Sequence, residues 1–286
     1  MSWAVLALLS AVALAASDGF AKSLSANFDF WRTTAQRHFF AVPLLAAVLL
    51  FTSPVSLGGE FWRTLALLLP LEVAAAFLYV YSISISPLSL SLPFLSFTPV
   101  FMIFTSRAVL GETLSARGIL GICLVVSGAY VLHLGRGARF MDPFKSLVRN
   151  RGSLGMLAVA ALYSMTSVLG KKAALVSGAV FFGAFYFVVL GFVIPLTAVL
   201  LGKLKPADVV NTRPAAIMSG LMLGLMGLLH FLAITRGEAA YVVSVKRMSA
   251  LFGVLIGAVA FGERFWGYRM FGAALMVAGA ALVSTA

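Results

Sequence analysis

Three ionisable side chains, Glu72, Lys246 and Arg247, lie inside apolar runs where lipid rather than water is the expected surrounding. Two adjacent cations suit an acidic group on a ligand. A carboxylate near them suits their counter-charge or a transferable proton. The stretch from Gly237 to Glu263 that carries the cations reads as a membrane-spanning helix. If it starts near Ala239, a rise of ~1.5 Å per residue puts Lys246 roughly 10 Å below the interface. The hydrocarbon half-thickness is about 15 Å, so both charges sit at lipid depth. At a helix centre each costs about 3 kcal/mol, which calls for a partner, a water-filled cavity or an anionic ligand. Snorkelling, in which the long stems return the charges to the headgroups, is the simpler alternative. Glu72 lies roughly eight residues past Thr64 and hence ~12 Å deep. A permanent bridge from Glu72 to Lys246 or Arg247, serving only helix packing, stands beside the ligand reading.

Other polar groups complete the candidate substrate-binding set. Tyr79, Tyr163, Ser167 and Tyr241 offer hydroxyls from apolar spans. His230 has no second histidine or cysteine nearby, so a satisfied or cavity-facing imidazole is expected rather than a metal site. No nucleophile with a base and no converging carboxylates are found, so no enzyme is expected. Neither is a cofactor or a metal. The chain lacks Gly-x-x-x-x-Gly-Lys-[Ser/Thr], which argues against direct drive by ATP.

The elements that must position these groups are membrane helices. Of 286 residues, 62% are hydrophobic and 10% charged, with a mean hydropathy of +1.05. Ten spans of ~20 residues would use about 200 positions and leave short loops. The net charge of +12 comes from cations at span ends, the usual membrane pattern, so nucleic acid is not expected as a partner. Cys123 is the only cysteine, so no intrachain disulfide is possible. Met1 to Leu9 lacks the cationic start of a signal peptide and reads as the first span.

Hydropathy puts span one at Trp3–Lys22, with Asp18 and Lys22 four apart on one face. A polar connector with Asp29, Arg32 and Arg37 precedes span two, centred on His38–Phe51. Span three is Thr64–Ser82, and span four, Leu88–Ala108, carries Pro93 and Pro99, which kink a helix and free carbonyls. Span five is Gly118–Leu134. The one substantial linker follows, with Arg136, Arg139, Lys145, Arg149 and Arg151 against Asp142, net +4 and suited to an anionic leaflet. Spans six to eight are Gly152–Gly170, Ala179–Leu201 and Pro214–Thr235, and span ten is Gly267–Ser284. The organisation expected is residues 1–135, a basic linker at 136–151, and residues 152–286. Gly220-x-x-x-Gly224 and Gly253-x-x-x-Gly257 permit close helix contact, expected within a monomer.

The halves repeat. Residues 110–132 match 261–283 at a fixed offset of 151. In that register Gly111-Glu112 meets Gly262-Glu263, Gly121 meets Gly272 and Gly128 meets Gly279, with no gap needed between 86 and 132. An odd number of spans per half makes the second copy enter from the opposite side, and inverted repeats are a transporter signature. Glu112 and Glu263 stand just ahead of spans five and ten, where a carboxylate favours a helix N-terminus, and read as structural.

On these residues the chain resembles the drug/metabolite transporter superfamily, of the EamA type. The resemblance rests on the Pro-rich span four ending in Leu110-Gly111-Glu112, on Phe261-Gly262-Glu263, and on the Gly-x6-Gly run after each. It implies an all-α integral membrane protein of ten transmembrane helices in two inverted five-helix repeats. It also implies alternating access and a central cavity lined by spans one, three, four, six, eight and nine. Val245-Lys246-Arg247 is similar to the ninth-span pair that holds phosphate in sugar-phosphate translocators. Those proteins carry a matching lysine in span four, where this chain has Leu95. Ala76 and Tyr79 stand where their span-three His and Thr are expected. Counted by loop, thirteen Lys/Arg against six put the termini outside the cytoplasm, whereas the resemblance implies cytoplasmic termini.

The reading that follows is a secondary transporter of a small polar metabolite, anionic or zwitterionic, in a bacterial-type inner membrane. Its expected partners are that small-molecule substrate and membrane lipids. The rivals are a proton-coupled exporter of amino acids or amphipathic cations using Glu72, and a lipid-phosphate translocase or membrane enzyme.

Overall fold

A computed structural model describes the chain except residues 26–28, 55–56, 87, 135–140, 143, 146–149, 212 and 262–266. The helices of the first half are α1 (Trp3–Ser25), α2 (Phe30–Phe39), α3 (Val42–Leu50), α4 (Gly59–Ser84), α5 (Leu88–Leu95), α6 (Thr98–Leu110) and α7 (Ala116–His133). Those of the second half are α8 (Arg151–Ser177), α9 (Ala179–Leu200), α10 (Pro206–Val210), α11 (Pro214–Ile234), α12 (Ala239–Lys246), α13 (Ser249–Phe261) and α14 (Gly267–Ser284). The described residues form no strand.

Local chemistry sets the boundaries. Asp29 caps α2 by accepting from the Trp31 N–H at 3.0 Å. Ser115 caps α7 through Gly118 N–H at 3.0 Å, and Asn150 caps α8 through Gly152 N–H at 2.9 Å. Gly111, at φ +70°, ends α6 in the left-handed conformation that glycine tolerates best. Pro206 and Pro214 open α10 and α11, where a missing N–H costs nothing.

Among the described residues, eight segments are long and apolar enough to cross a membrane, including α2 and α3 together, residues 90–110, and residues 239–256. The expected spans five and ten correspond to shorter apolar stretches, Ala116–Leu132 and Arg269–Ser284. At ~1.5 Å per residue each reaches roughly 25 Å, a little under the ~30 Å hydrocarbon layer.

Two span boundaries differ from expectation. The connector holding Arg32 and Arg37 is helical, because Asp29 caps it and both arginines find carboxylates, Asp208 at 3.5 Å and Asp18 at 3.0 Å. Asp18 therefore has a partner in Arg37; the Lys22 side chain lies outside the described residues. Span six, expected to stop at Gly170, continues to Ser177 because Lys171 is neutralised inside the protein by Glu112. Glu263 and the linker residues Arg136, Arg139 and Arg149 lie outside the described residues.

The helices pack in corresponding pairs. α1 lies along α11 as α4 lies along α8; α5 and α6 pack on α8 as α12 and α13 pack on α1. Helices α7 and α14 cross through glycines. A Cβ on Gly128 would meet the Gly272 carbonyl oxygen and come within 2.6 Å of Met276 Cγ. One on Gly279 would stand 2.6 Å from the Gly121 carbonyl oxygen and 2.7 Å from Val125 N. Gly121 thus faces Gly279 while Gly128 faces Gly272, an antiparallel crossing in which each glycine meets the other's repeat counterpart. Gly220 packs on Phe40 and Gly224 on Leu45, so that pair also serves an internal contact.

Because backbone atoms block the added carbon, Gly128→Ala or Gly279→Ala should lower stability by about 1–3 kcal/mol, the usual cost of overpacking. Gly253→Ala, with nothing within 4 Å of the new carbon, should be neutral or mildly stabilising. Thermal unfolding of the purified variants measures both, and equal midpoints for Gly128→Ala and Gly253→Ala would refute the tight crossing.

Candidate functional site

The two central cations sit at an interruption of the helix that carries them. Helix α12 ends at Lys246, α13 begins at Ser249, and Arg247 is the C-terminal cap between them. The first half is interrupted at the matching positions, α5 ending at Leu95 and α6 beginning at Thr98, each 151 residues earlier. Backbone bonding matches too. Ser96 N–H bonds to Pro93 and Phe97 to Phe94, as Arg247 bonds to Ser244 and Met248 to Val245. These i→i−3 bonds tighten the turn as a 3₁₀ segment does. Prolines 93 and 99 account for the first break. The second forms with no proline, and a continuous helix expected from hydropathy is corrected here. The signal was present in the repeat register, which carries positions 95–98 onto 246–249.

This interruption puts both positive charges where the exposed carbonyls of a half-helix end favour them. Glu72, midway along α4, meets the hydroxyls of Thr166 on α8 and Tyr186 on α9. Lys246 is in electrostatic reach of Glu72 and His230. Arg247 is in reach of Tyr79 and Tyr163. Yet among the described residues no ion pair within 4.0 Å joins Glu72 to Lys246 or Arg247. A permanent Glu72 bridge is therefore not what the structure contains. Arg247 Nε and His230 Nδ1 are buried without a hydrogen-bond partner, a condition that costs about 1–3 kcal/mol per group. Glu72, Tyr79, Tyr163, Lys246 and Arg247 are all part-buried rather than fully enclosed.

Tyr79 and His230 occupy the same position in the two halves, 151 apart, and both belong to this cluster. Ser167 is half-buried one residue after Thr166 on α8. Tyr241 stands apart: its hydroxyl accepts from Ser115 N–H at 3.0 Å, and its ring stacks on Trp3 at 6.3 Å. Three participants were not singled out from sequence. Tyr186 lay hidden in an apolar run of span seven. Asp18, read as a helix-end neighbour of Lys22, and Arg37, read as part of a polar connector, form a 3.0 Å pair within electrostatic reach of Tyr79. Helix capping at Asp29 was the available clue that Arg37 lies inside a helix.

A second polar cluster lies at the end of the bundle that holds the N-terminus of α1 and the C-terminus of α8. Glu112 pairs there with Lys171. Its second oxygen accepts from Ala239 N–H at 2.9 Å, and Lys171 also donates to the Gly237 carbonyl at 2.6 Å. Both side chains are about nine-tenths buried, at 10% and 11% exposure. Removing one partner from such a pair typically costs about 3–5 kcal/mol. The neighbouring Lys172–Glu60 pair, at 3.2 Å but largely exposed, is worth at most about 1 kcal/mol. Glu112 thus caps α12 across the molecule instead of its own following helix.

Comparison with the curated proteins returned no match. A solved crystal structure described only as "Crystal structure of protein" has a TM-score of 0.76 to this chain. That likeness covers 98% of this chain and 96% of the other at 19% identity, and it speaks to the fold alone. The family model of the EamA-like transporter family matches residues 1–134 and again 150–285. With apolar membrane-length helices throughout both matched regions, the chain belongs to the EamA-like transporter family of the drug/metabolite transporter superfamily and is a multi-pass membrane transporter.

Proposed function

We propose that this transporter carries a small polar organic metabolite, anionic or zwitterionic, across a bacterial-type inner membrane by alternating access. Ten spans form two inverted five-span halves, and the solute sits where the interrupted fourth spans meet. The equal register of the two breaks and the antiparallel glycine crossing support that arrangement, since inverted repeats with broken helices hold their substrates near the midplane.

One observation carries the substrate class. Lys246 and Arg247 lie at mid-span with no carboxylate within 4.0 Å among the described residues, and Arg247 Nε has no hydrogen-bond partner there. An acidic group on the solute supplies the missing counter-charge. Tyr79, Tyr163, Ser167 and His230 line its path, and Tyr241 belongs to the sealed end above it. Glu72, held by two hydroxyls, takes an ammonium group on a zwitterion or remains a hydrogen-bonding partner.

The same freedom of Glu72 from the cations favours a second reading, proton-coupled export of amino acids or amphipathic cations. There the carboxylate exchanges a proton for the solute's positive charge.

A thermal-shift screen separates the two. Small carboxylates and organic phosphates should raise the unfolding midpoint of the parent. A ligand at a hundred times its Kd adds about 2.7 kcal/mol. Lys246→Ala and Arg247→Gln should lose that response while eluting as folded protein, and shifts that persist in both variants refute the site. Glu72→Gln should keep the response to simple carboxylates. Stabilisation of the parent by hydrophobic amines alone, lost in Glu72→Gln, selects the exporter reading instead.

A further inference from the structure

The polar cluster around Glu112 has no role in the solute site, and its construction calls for one. It joins three separate pieces of chain: the turn after α6 in the first half, the last turns of α8, and the loop between α11 and α12. We infer that the Glu112–Lys171 pair, with its backbone partners Gly237 and Ala239, is the closed gate over the terminal end of the transport path, and that it must part when that end opens.

Three observations carry this. The gate is polar throughout. Lys171 satisfies the Gly237 carbonyl just past α11, and Glu112 satisfies the Ala239 N–H at the start of α12. An apolar plug would leave both backbone groups unpaired in the closed state, whereas these four groups pair with one another when closed and with water once exposed. The gate also has a second bolt. Tyr241, two residues past Ala239 on α12, bonds to Ser115 and stacks on Trp3, and its ring lies so close to Gly118 that no Cβ fits there. Finally, the gate is mounted on the helix that carries the cations. Glu112 grips the first residue of α12, and Lys246 is its last. Release at Ala239 therefore frees a rigid eight-residue segment that ends in the break at Arg247. Solute charge at one end of α12 and the ion pair at the other bias the same element, which is the physical requirement for coupling two sites.

The inference does not depend on which solute is carried, and its test uses none. In a Cys123→Ser background, nitroxide labels are attached at Thr113→Cys and Arg236→Cys, exposed positions on the two sides of the pair. The distance between the labels is then measured by pulsed electron resonance. The parent should give a single short distribution. Lys171→Met and Glu112→Gln should each add a longer component, its share rising about tenfold. The exchanged pair Glu112→Lys with Lys171→Glu should reduce it again. Size-exclusion profiles and unfolding midpoints establish that each variant is folded. Distributions unchanged from the parent in both folded single variants overturn the gate. So does an exchanged pair no shorter than the single variants, because that result traces the opening to lost packing rather than to the charge pair.

Discussion

Polar groups within the spans must find their partners inside the protein, and the interruption between α12 and α13 is where that requirement is hardest to meet. Two cations stand together there with no carboxylate in contact among the described residues. In a dry interior each would carry a desolvation penalty of several kcal/mol. What makes the arrangement tenable is the combination of a half-helix carbonyl end, the nearby Glu72 and the neighbouring tyrosine hydroxyls. The site is built from unmet demand, which is what the proposed acidic solute would satisfy.

The scaffold is nearly two-fold, and the site is not. Breaks in the helices, their tightened backbone bonds and the α7–α14 crossing correspond at a single offset. The side chains at those positions do not correspond. Lys246 stands opposite Leu95, His230 opposite Tyr79, and Glu72 opposite Leu223. Matching backbones repeat the same break in each half, while unmatched side chains put the two cations at only one of the breaks. The glycine crossing suits this division, because carbonyl oxygens packed against glycines leave little room for the two helices to slide.

Ion pairs at the bundle ends differ in what their surroundings allow. Lys172–Glu60 is wet and contributes little; Lys171–Glu112 is enclosed and bonded to backbone at both ends. Two adjacent lysines thus serve different purposes, decided by which side of α8 each occupies. Charge and residue type alone do not separate them.

From its residues alone the chain declared membrane helices, a repeat at one offset, the family it resembles, and three charges at lipid depth. Those features are local or periodic, and hydropathy and self-comparison read such patterns directly. Only the tertiary structure decided that Glu72 sits beside Thr166 and Tyr186 with no ion pair to the cations, that Asp18 pairs with Arg37, and that Glu112 caps a helix in the other half. Each of these is a contact between segments tens to hundreds of residues apart. Partner choice among several opposite charges depends on helix rotation and depth, and a linear pattern carries neither.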